Sequence, residues 1–500
     1  MEAAEDRKNV LWYRTEAKNW MEALPLGNGR LGAMLYGGAL DEKIQVDEST
    51  FWSGEPSDQN DLPETKELTQ KIREALLEKD YEKADKLGKN YVGRKGNYGT
   101  DLPTGNLKFR MISDGKNEIT DYERYLNIGD RLCGVRFCWD GSRFHRKLFI
   151  SNPDQLLLLT CGQEGAEKKQ FDLELSCEKI GAPVKISALE GKDVLLSGDA
   201  FETLHSDGKT GVHLEGAIRI LTDGKLSFDG EKVSVERATG FTFLMDLRTD
   251  MEARISGEKE SPTSIRKHCL KGLHVAEEKG ISVLQERHRK DVRALFDRVD
   301  FVLGEDRKRD LPTDERIRTQ KAGEDDADLM ALFYRYGRYL LIASSRENSP
   351  LPTHMGGIWN DNIYCNMDCA QDMHIDMNIQ MQYWLSAQCN LKEAYWSLFP
   401  WVKNTMMPNG RKTAAVTYGA RGFAAHVVSN PWGFTALGWA YNWGVWALGG
   451  VWTATLLWDY YLYTEDQAFL KDYAFPVLWE AASFAADYLF FDEKSGFYMA

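Results

Sequence analysis

Residues 135–150 read VRFCWDGSRFHRKLFI, and this stretch decides how the first half of the chain folds. Val135, Phe137 and Trp139 alternate with other residues before Asp140-Gly141, and Phe144, Leu148 and Ile150 resume the alternation after it. Period-2 spacing places each apolar set on one face of an extended backbone. Asp-Gly between two such runs marks a tight hairpin, because the favoured turn needs positive φ at both central residues. Arg146 alone breaks the second apolar face.

The pattern extends in both directions. Short apolar segments at 31–37 and 43–46 are separated by Gly37-Gly38 and Asp41-Glu42. Others follow at 156–160, 171–177, 194–197, 212–221, 232–236 and 241–247. Many short strands at even spacing predict an antiparallel β-sandwich over residues 1–260 rather than a parallel sheet. One insert, about 62–90, carries the charge pattern of an exposed helix pair. Near Asp250 the period changes. Leu284, His288, Val292, Leu295, Phe296 and Val299 fall at helical spacing within a helical linker, residues 261–325. Leu329, Leu332, Phe333, Tyr336 and Leu340 then form one stripe of a helix over 326–345. Further helices are expected at 379–407, 436–463 and 466–491, with Gly449-Gly450 inside the second of these as a close-packing point or a break. Nothing after residue 300 reads as sheet, so residues 326–500 must pack helix on helix.

Five hundred residues exceed what one core usually serves, and 43% hydrophobic with 28% charged residues describes a globular protein. A net charge of −14 argues against nucleic acid or an anionic membrane as partner and fits a neutral substrate. No run approaches 18 apolar residues, and MEAAEDRKNVLWYRTEAKNW at the N-terminus lacks the apolar core of a signal peptide. The default reading is a cytoplasmic protein, although a mature chain stripped of its signal would look the same. Eight scattered cysteines suit a reducing compartment. Eleven of the 15 tryptophans lie between Trp359 and Trp479. Indoles in such a helical region build sugar-binding clefts or a Trp-rich core.

Chemistry concentrates in residues 352–384, PTHMGGIWNDNIYCNMDCAQDMHIDMNIQMQYW. In an extended backbone His374, Asp376 and Asn378 share one face, presenting an imidazole, a carboxylate and a carboxamide together. A helix from about Ile379 to Lys392 would hold that row. Equally, Asp376 or Asn378 could be the cap of a helix N-terminus.

Residues 20–34, WMEALPLGNGRLGAM, and 45–54, QVDESTFWSG, resemble the N-terminal signature of glycoside hydrolase family 95. Leu311-Pro312-Thr313-Asp314, residues 336–346 (YGRYLLIASSR) and Gly357-Ile358-Trp359-Asn360-Asp361 resemble later motifs in the same order. The resemblance implies an N-terminal β-sandwich, a helical linker and an (α/α)6 toroid. It further implies inverting release of terminal α-L-fucose, or for some members α-L-galactose, from glycans. No cofactor or metal is implied, and the oligomeric state is left open.

An inverting glycosidase needs a general acid for the leaving oxygen and a base-activated water on the opposite ring face. The family holds that water with an Asn-x-Asn segment, a distant carboxylate polarising it. The second asparagine matches Asn378; the first falls on Asp376, a departure at a central position. Asp376 is then either the base itself or a change that retunes the site for another sugar or disables it. A second carboxylate nearby would raise one pKa and disfavour double ionisation. His374 matches a histidine of the family suited to sugar hydroxyls, and Trp359 and Asn360 suit a loop at the toroid mouth. Residues 425–432, AHVVSNPW, lie where the resemblance expects His-His-Asn-Thr-Asp-x-Trp. His426 and Trp432 are kept as candidate substrate contacts. Val427, Val428 and Asn430 depart, which weakens the fucose assignment.

Three rivals follow from the residues. Cys365, Cys369, His374 and Cys389 do not have a usual zinc spacing, and the three cysteines read as free buried thiols. A phosphorylase would need a basic pocket, and no Arg or Lys lies between Pro352 and Asn390. A non-catalytic glycan-binding protein would be indifferent to Asp376→Ala. About six helices are available by Ala500, half a toroid, and the family's general acid and distant carboxylate fall later still. The 500 residues are therefore expected to be the front part of a longer protein, or an incomplete gene product, without hydrolase activity alone. Asp492 and Glu493 read as a solvated turn.

Overall fold

The computed structural model describes residues 7–178, 184–230, 232–362 and 369–500. Among these, the N-terminal part is built from two antiparallel sheets. One runs, in spatial order, Val10–Tyr13, Ile119–Asn127, Leu132–Trp139, Ser142–Ser151, Leu156–Gln163, Phe241–Thr249, His213–Thr222, Asp193–Asp199 and Lys185–Glu190. The other runs Lys225–Asp229, Lys232–Ala238, Phe171–Glu178, Gly105–Ile112, Asp41–Glu48, Leu31–Leu35 and Leu24–Gly27. Their facing sides share one core. Phe109 of the second sheet meets Phe241 and Phe243 of the first edge-on, with ring centres 5.3 and 5.8 Å apart.

The 135–150 hairpin forms as its alternation predicts. Phe137 pairs with Phe144 and Trp139 with Ser142, while Asp140 and Gly141 take φ of 45° and 85°. Arg146 breaks the apolar face because the core holds it as half of an ion pair. It is buried, 2.6 Å from Glu42 Oε2, and donates to the carbonyls of Gly38 and Ala39. Losing either partner would leave an uncompensated buried charge.

Thr65–Leu77 and Tyr81–Gly88 are the helical insert, and they lean on the later helices rather than on the sheets. Thr69 Oγ1 lies 3.1 Å from the Thr417 carbonyl, and Arg73 donates to the Tyr488 carbonyl at 2.7 Å. Pro262–Lys279 and Ile281–Phe296 cover the outer face of the first sheet through Cys269, Leu273 and Leu284 against Phe149, Leu158 and Leu244. Ala327–Ser344 packs on the strand Leu24–Gly27, where the Tyr339 hydroxyl donates to the Pro25 carbonyl. A Cβ on Gly27 would sit 2.6 Å from the Ala343 carbonyl oxygen. Only glycine permits that approach.

The C-terminal region is helical, with three differences from the expected pattern. The helix at 379–407 is interrupted: Asn378–Gln388 ends before Asn390, which takes φ 55°, and helix resumes as a 3-10 turn and then a run over 399–418 with two π turns. The helix at 436–463 starts only at Gly449, as Gly449–Thr464. Its Trp-rich front is irregular because Gly438 and Gly444 bring two backbone segments together, the Gly438 N–H reaching the Gly444 carbonyl at 2.8 Å. Gly449-Gly450 therefore begins the helix instead of interrupting it. A Cβ on Gly450 would lie 2.8 Å from the Phe423 ring. Finally, short strands do occur after residue 300: Met373–His374 with Val428–Ser429, and Phe490–Asp492 with Phe497–Met499. Two or three residues are too few to leave a period-2 signal. Among the described residues no helix is long and apolar enough to cross a membrane.

Candidate active site

The short ladder in the helical region brings the two candidate segments together. His374 pairs with Val428 and Met373 with Ser429, and the Ile375 N–H donates to the Val427 carbonyl at 2.8 Å. Extension stops after His374. Residues 375–377 turn, and Asn378 is the first residue of the helix Asn378–Gln388. The cap position falls to Met377, whose side chain makes no capping bond. The row His374, Asp376, Asn378 is thus neither one extended strand nor an Asx-capped helix start. It wraps from a strand end into a helix N-terminus.

His374 is the electrostatic centre of the segment. Its Nδ1 lies 2.5 Å from Asp372 Oδ1, and the Asp372 side chain is buried. Burial alone would depress the imidazole, but the charge and hydrogen bond of Asp372, with the charge of Asp376 adding, push it up to about 9. A cation is thereby held beside Asp376. Asp376 is half-buried, and its Oδ1 is out of solvent with no hydrogen-bond partner among the described residues. Buried carboxylate oxygens are ordinarily paired, so an unpartnered one beside an imidazolium is suited to a water or a hydroxyl. Asn378, two residues on, is half-buried, its carboxamide supplying both donor and acceptor.

The other expected contacts have different surroundings. Trp359 is 6% exposed and its indole N–H donates to the Leu26 carbonyl at 2.8 Å, so it packs between sheet and helices. Asn360 is buried at the same junction. Its Nδ2 reaches the Asp101 carbonyl at 3.0 Å and its N–H reaches Asp47 Oδ2 at 3.2 Å. Burial raises both Asp47 and Asp101 well above the usual carboxylate range. His426 is fully buried: Nδ1 accepts from the Trp446 N–H at 3.1 Å and Nε2 faces the Tyr418 hydroxyl at 3.2 Å. Burial depresses it to about 3. Both ring nitrogens are satisfied within the fold. Trp432 borders a cleft of about 90 Å³ lined also by Tyr98, Asn430, Asp58 and Lys95. Val427 and Val428 are core, clustered with Tyr98, Ala370, Phe434 and Ala436.

Two neighbours of the site were missed. Asp372 extends the even-numbered row by one step, 372-374-376-378, and the alternation could have found it. Tyr98 had no local signal: it lies far upstream, yet its hydroxyl is 2.7 Å from both Asp372 Oδ2 and the Ser429 carbonyl. Cys365 of the metal constellation lies outside the described residues, and Cys389 Sγ sits 3.3 Å from the Tyr334 hydroxyl. Among the described residues no group of three or more His, Cys, Asp or Glu is placed to hold a metal.

Comparison with known proteins bears on this geometry. Residues 280–500 match the glycosyl hydrolase family 95 catalytic domain, and residues 11–254 match the glycosyl hydrolase family 65 N-terminal domain. "Alpha-L-fucosidase 2" of Arabidopsis thaliana is 31% identical over 97% of this chain and 59% of its own length. "Probable alpha-fucosidase A" of Aspergillus niger is 25% identical over 94% of this chain and 59% of its own. A solved structure, "Putative kojibiose phosphorylase from human microbiome", superposes with a TM-score of 0.62 at 12% identity, covering 97% of this chain and 60% of that one. At that identity the likeness concerns fold alone. The chain spans 59% of the length of the first two relatives. The catalytic-domain match over 280–500, the collinear relatives and the motifs of 20–54 and 336–361 together support assignment of the chain to glycoside hydrolase family 95.

Proposed function

We propose that the protein is an inverting glycoside hydrolase that releases a terminal α-L-fucose, or a related α-L-sugar such as α-L-galactose, from an oligosaccharide or glycoconjugate. The observation that carries this reading is the unpartnered Oδ1 of Asp376, held beside an imidazolium and followed two residues later by Asn378. In this reading Asp376 and Asn378 hold the attacking water: the carboxylate accepts its proton while the carboxamide fixes its orientation. His374, charged through neutral pH, donates to a sugar hydroxyl. Residues 1–260, 261–325 and 326–500 serve as sandwich, linker and part of an (α/α)6 toroid. The acid that protonates the leaving oxygen is supplied from outside these 500 residues, a reading supported by the share of the relatives' length that the chain spans. The reaction takes place in the cytoplasm.

Val427, Val428 and Asn430 bear on which sugar is accepted. The two valines pack in a hydrophobic cluster, and Asn430 binds the Tyr98 carbonyl and the Phe434 N–H. This part of the pocket therefore supplies fewer groups for sugar hydroxyls than the resemblance expects, which favours a broader or shifted preference. The test is a screen of nitrophenyl α-L-fucoside, α-L-galactoside and other glycosides with residues 1–500 and with a form extended by roughly one domain. Turnover of an α-L-glycoside by the extended form, lost in Asp376→Ala, supports a hydrolase. Glycan binding that Asp376→Ala leaves intact, without turnover, would replace it with a binding protein. Robust turnover by residues 1–500 would contradict the outside acid.

A further inference from the structure

We propose that Tyr98, a residue of the N-terminal half, is a positioning residue for His374 and acts through Asp372. The loop from Tyr91 to Thr104 leaves the helical insert and returns to the second sheet, and on its way it enters the helical region. There the Tyr98 ring is 2% exposed. It meets Phe434 and Trp439 edge-on, each at 5.0 Å between centres. Its hydroxyl has one hydrogen and two acceptors at 2.7 Å, Asp372 Oδ2 and the Ser429 carbonyl. Its own carbonyl accepts from Asn430 Nδ2 at 3.0 Å. Tyr98 thus grips both strands of the Met373–His374/Val428–Ser429 ladder, at the residue preceding the first strand and at the last residue of the second.

The grip reaches the imidazole. Asp372 has one oxygen on Tyr98 and the other 2.5 Å from His374 Nδ1, so the tyrosine fixes the carboxylate's rotation and the carboxylate fixes the ring. With Nδ1 in ion-pair contact with Asp372, His374 Nε2 is the nitrogen left to meet a substrate or a water. A two-residue ladder offers little rigidity of its own. The phenol supplies the missing restraint, and it comes from the N-terminal half of the chain. This arrangement is the carboxylate–imidazole pairing that sets a histidine's tautomer and orientation, with one further hydrogen bond behind it. Its catalytic consequence rests on the proposed hydrolase reading; its structural content does not.

Tyr98→Phe removes the hydroxyl and keeps the ring. The first readout needs no substrate: the His374 titration followed by NMR in histidine-labelled protein, assigned with His374→Gln. Among the described residues the titratable groups facing that imidazole are Asp372, Asp376 and Cys369. Freed from Tyr98, Asp372 swings away, and the His374 midpoint falls by about one pH unit. Asp372→Asn lowers it further, and adding Tyr98→Phe to that variant changes nothing more. In the active protein, Tyr98→Phe lowers kcat about tenfold with KM altered less than about twofold, as loss of a group behind a reacting one does. An unmoved His374 midpoint in Tyr98→Phe, or equal shifts with and without Asp372, overturns the proposal. A shifted midpoint in a protein that hydrolyses no α-L-glycoside leaves it standing and refutes the hydrolase reading instead.

Discussion

Asp376 stands where the resemblance has a carboxamide, and its chemistry separates the possible roles of the site. A base removing a proton from water typically contributes about 10²–10⁴ in rate. Asp376→Asn should therefore lower kcat by that order and abolish the limb of the pH–rate profile that requires an ionised base. An unchanged limb would assign the base elsewhere. Asn378→Ala should reduce kcat less, by about tenfold to a hundredfold, since orientation is lost but not the proton acceptor. Single residues were also where the sequence was hardest to read. The row around His374 was visible because alternation is a local signal, but its direction after His374 was not. His426 looked like a sugar ligand because a resemblance carries identity without burial. In the fold it lies between the Trp446 N–H and the Tyr418 hydroxyl. Arg146 shows the converse: a charge breaking an apolar face was legible, while its partner Glu42, 104 residues away, was not.

Elements were legible where they were long. The 135–150 hairpin, the insert helices and the linker helices follow from spacing within one stretch of chain. The start of the Gly449–Thr464 helix did not, because it is set by contact with another segment. The Gly450 N–H donates to the Ala425 carbonyl at 3.1 Å, and a side chain there would meet the Phe423 ring and the Ala425 backbone. Gly450→Val should accordingly push the helix off the 423–426 segment and cost roughly 1–3 kcal/mol, read as a lower denaturation midpoint at constant slope. Stability equal to the parent would show that the helix can start elsewhere at no cost. The same residues lead directly into the ladder at 428–429, so this variant should also impair turnover.

Across the whole molecule, the sheets, linker and helices are joined by buried polar groups whose ionisation depends on that burial. His288 on the linker helix is 2% exposed, its Nε2 2.9 Å from the Asp130 carbonyl, and burial lowers it to about 4. An unfolded histidine titrates near about 6.5. The neutral ring's contribution is thus complete above that pH and is lost as pH falls from there toward 4, where the native ring also takes its proton. His288→Gln keeps a donor for the carbonyl but has no proton to gain. Its unfolding free energy should fall less than the parent's over that window, by roughly 2–3 kcal/mol. Parallel pH curves for the two proteins would contradict the burial argument. That several such contacts, with Tyr98 among them, bind the N-terminal half to the site was invisible in the sequence, because no periodicity links residue 98 to residue 372. The central claim concerns the reaction itself, and proton NMR of the sugar anomer first released from an α-L-fucoside by the active protein tests it most directly. The account predicts β-L-fucose before mutarotation, released about 10²–10⁴-fold more slowly by Asp376→Asn; α-L-fucose as the first product, or release unaffected by that substitution, would contradict it.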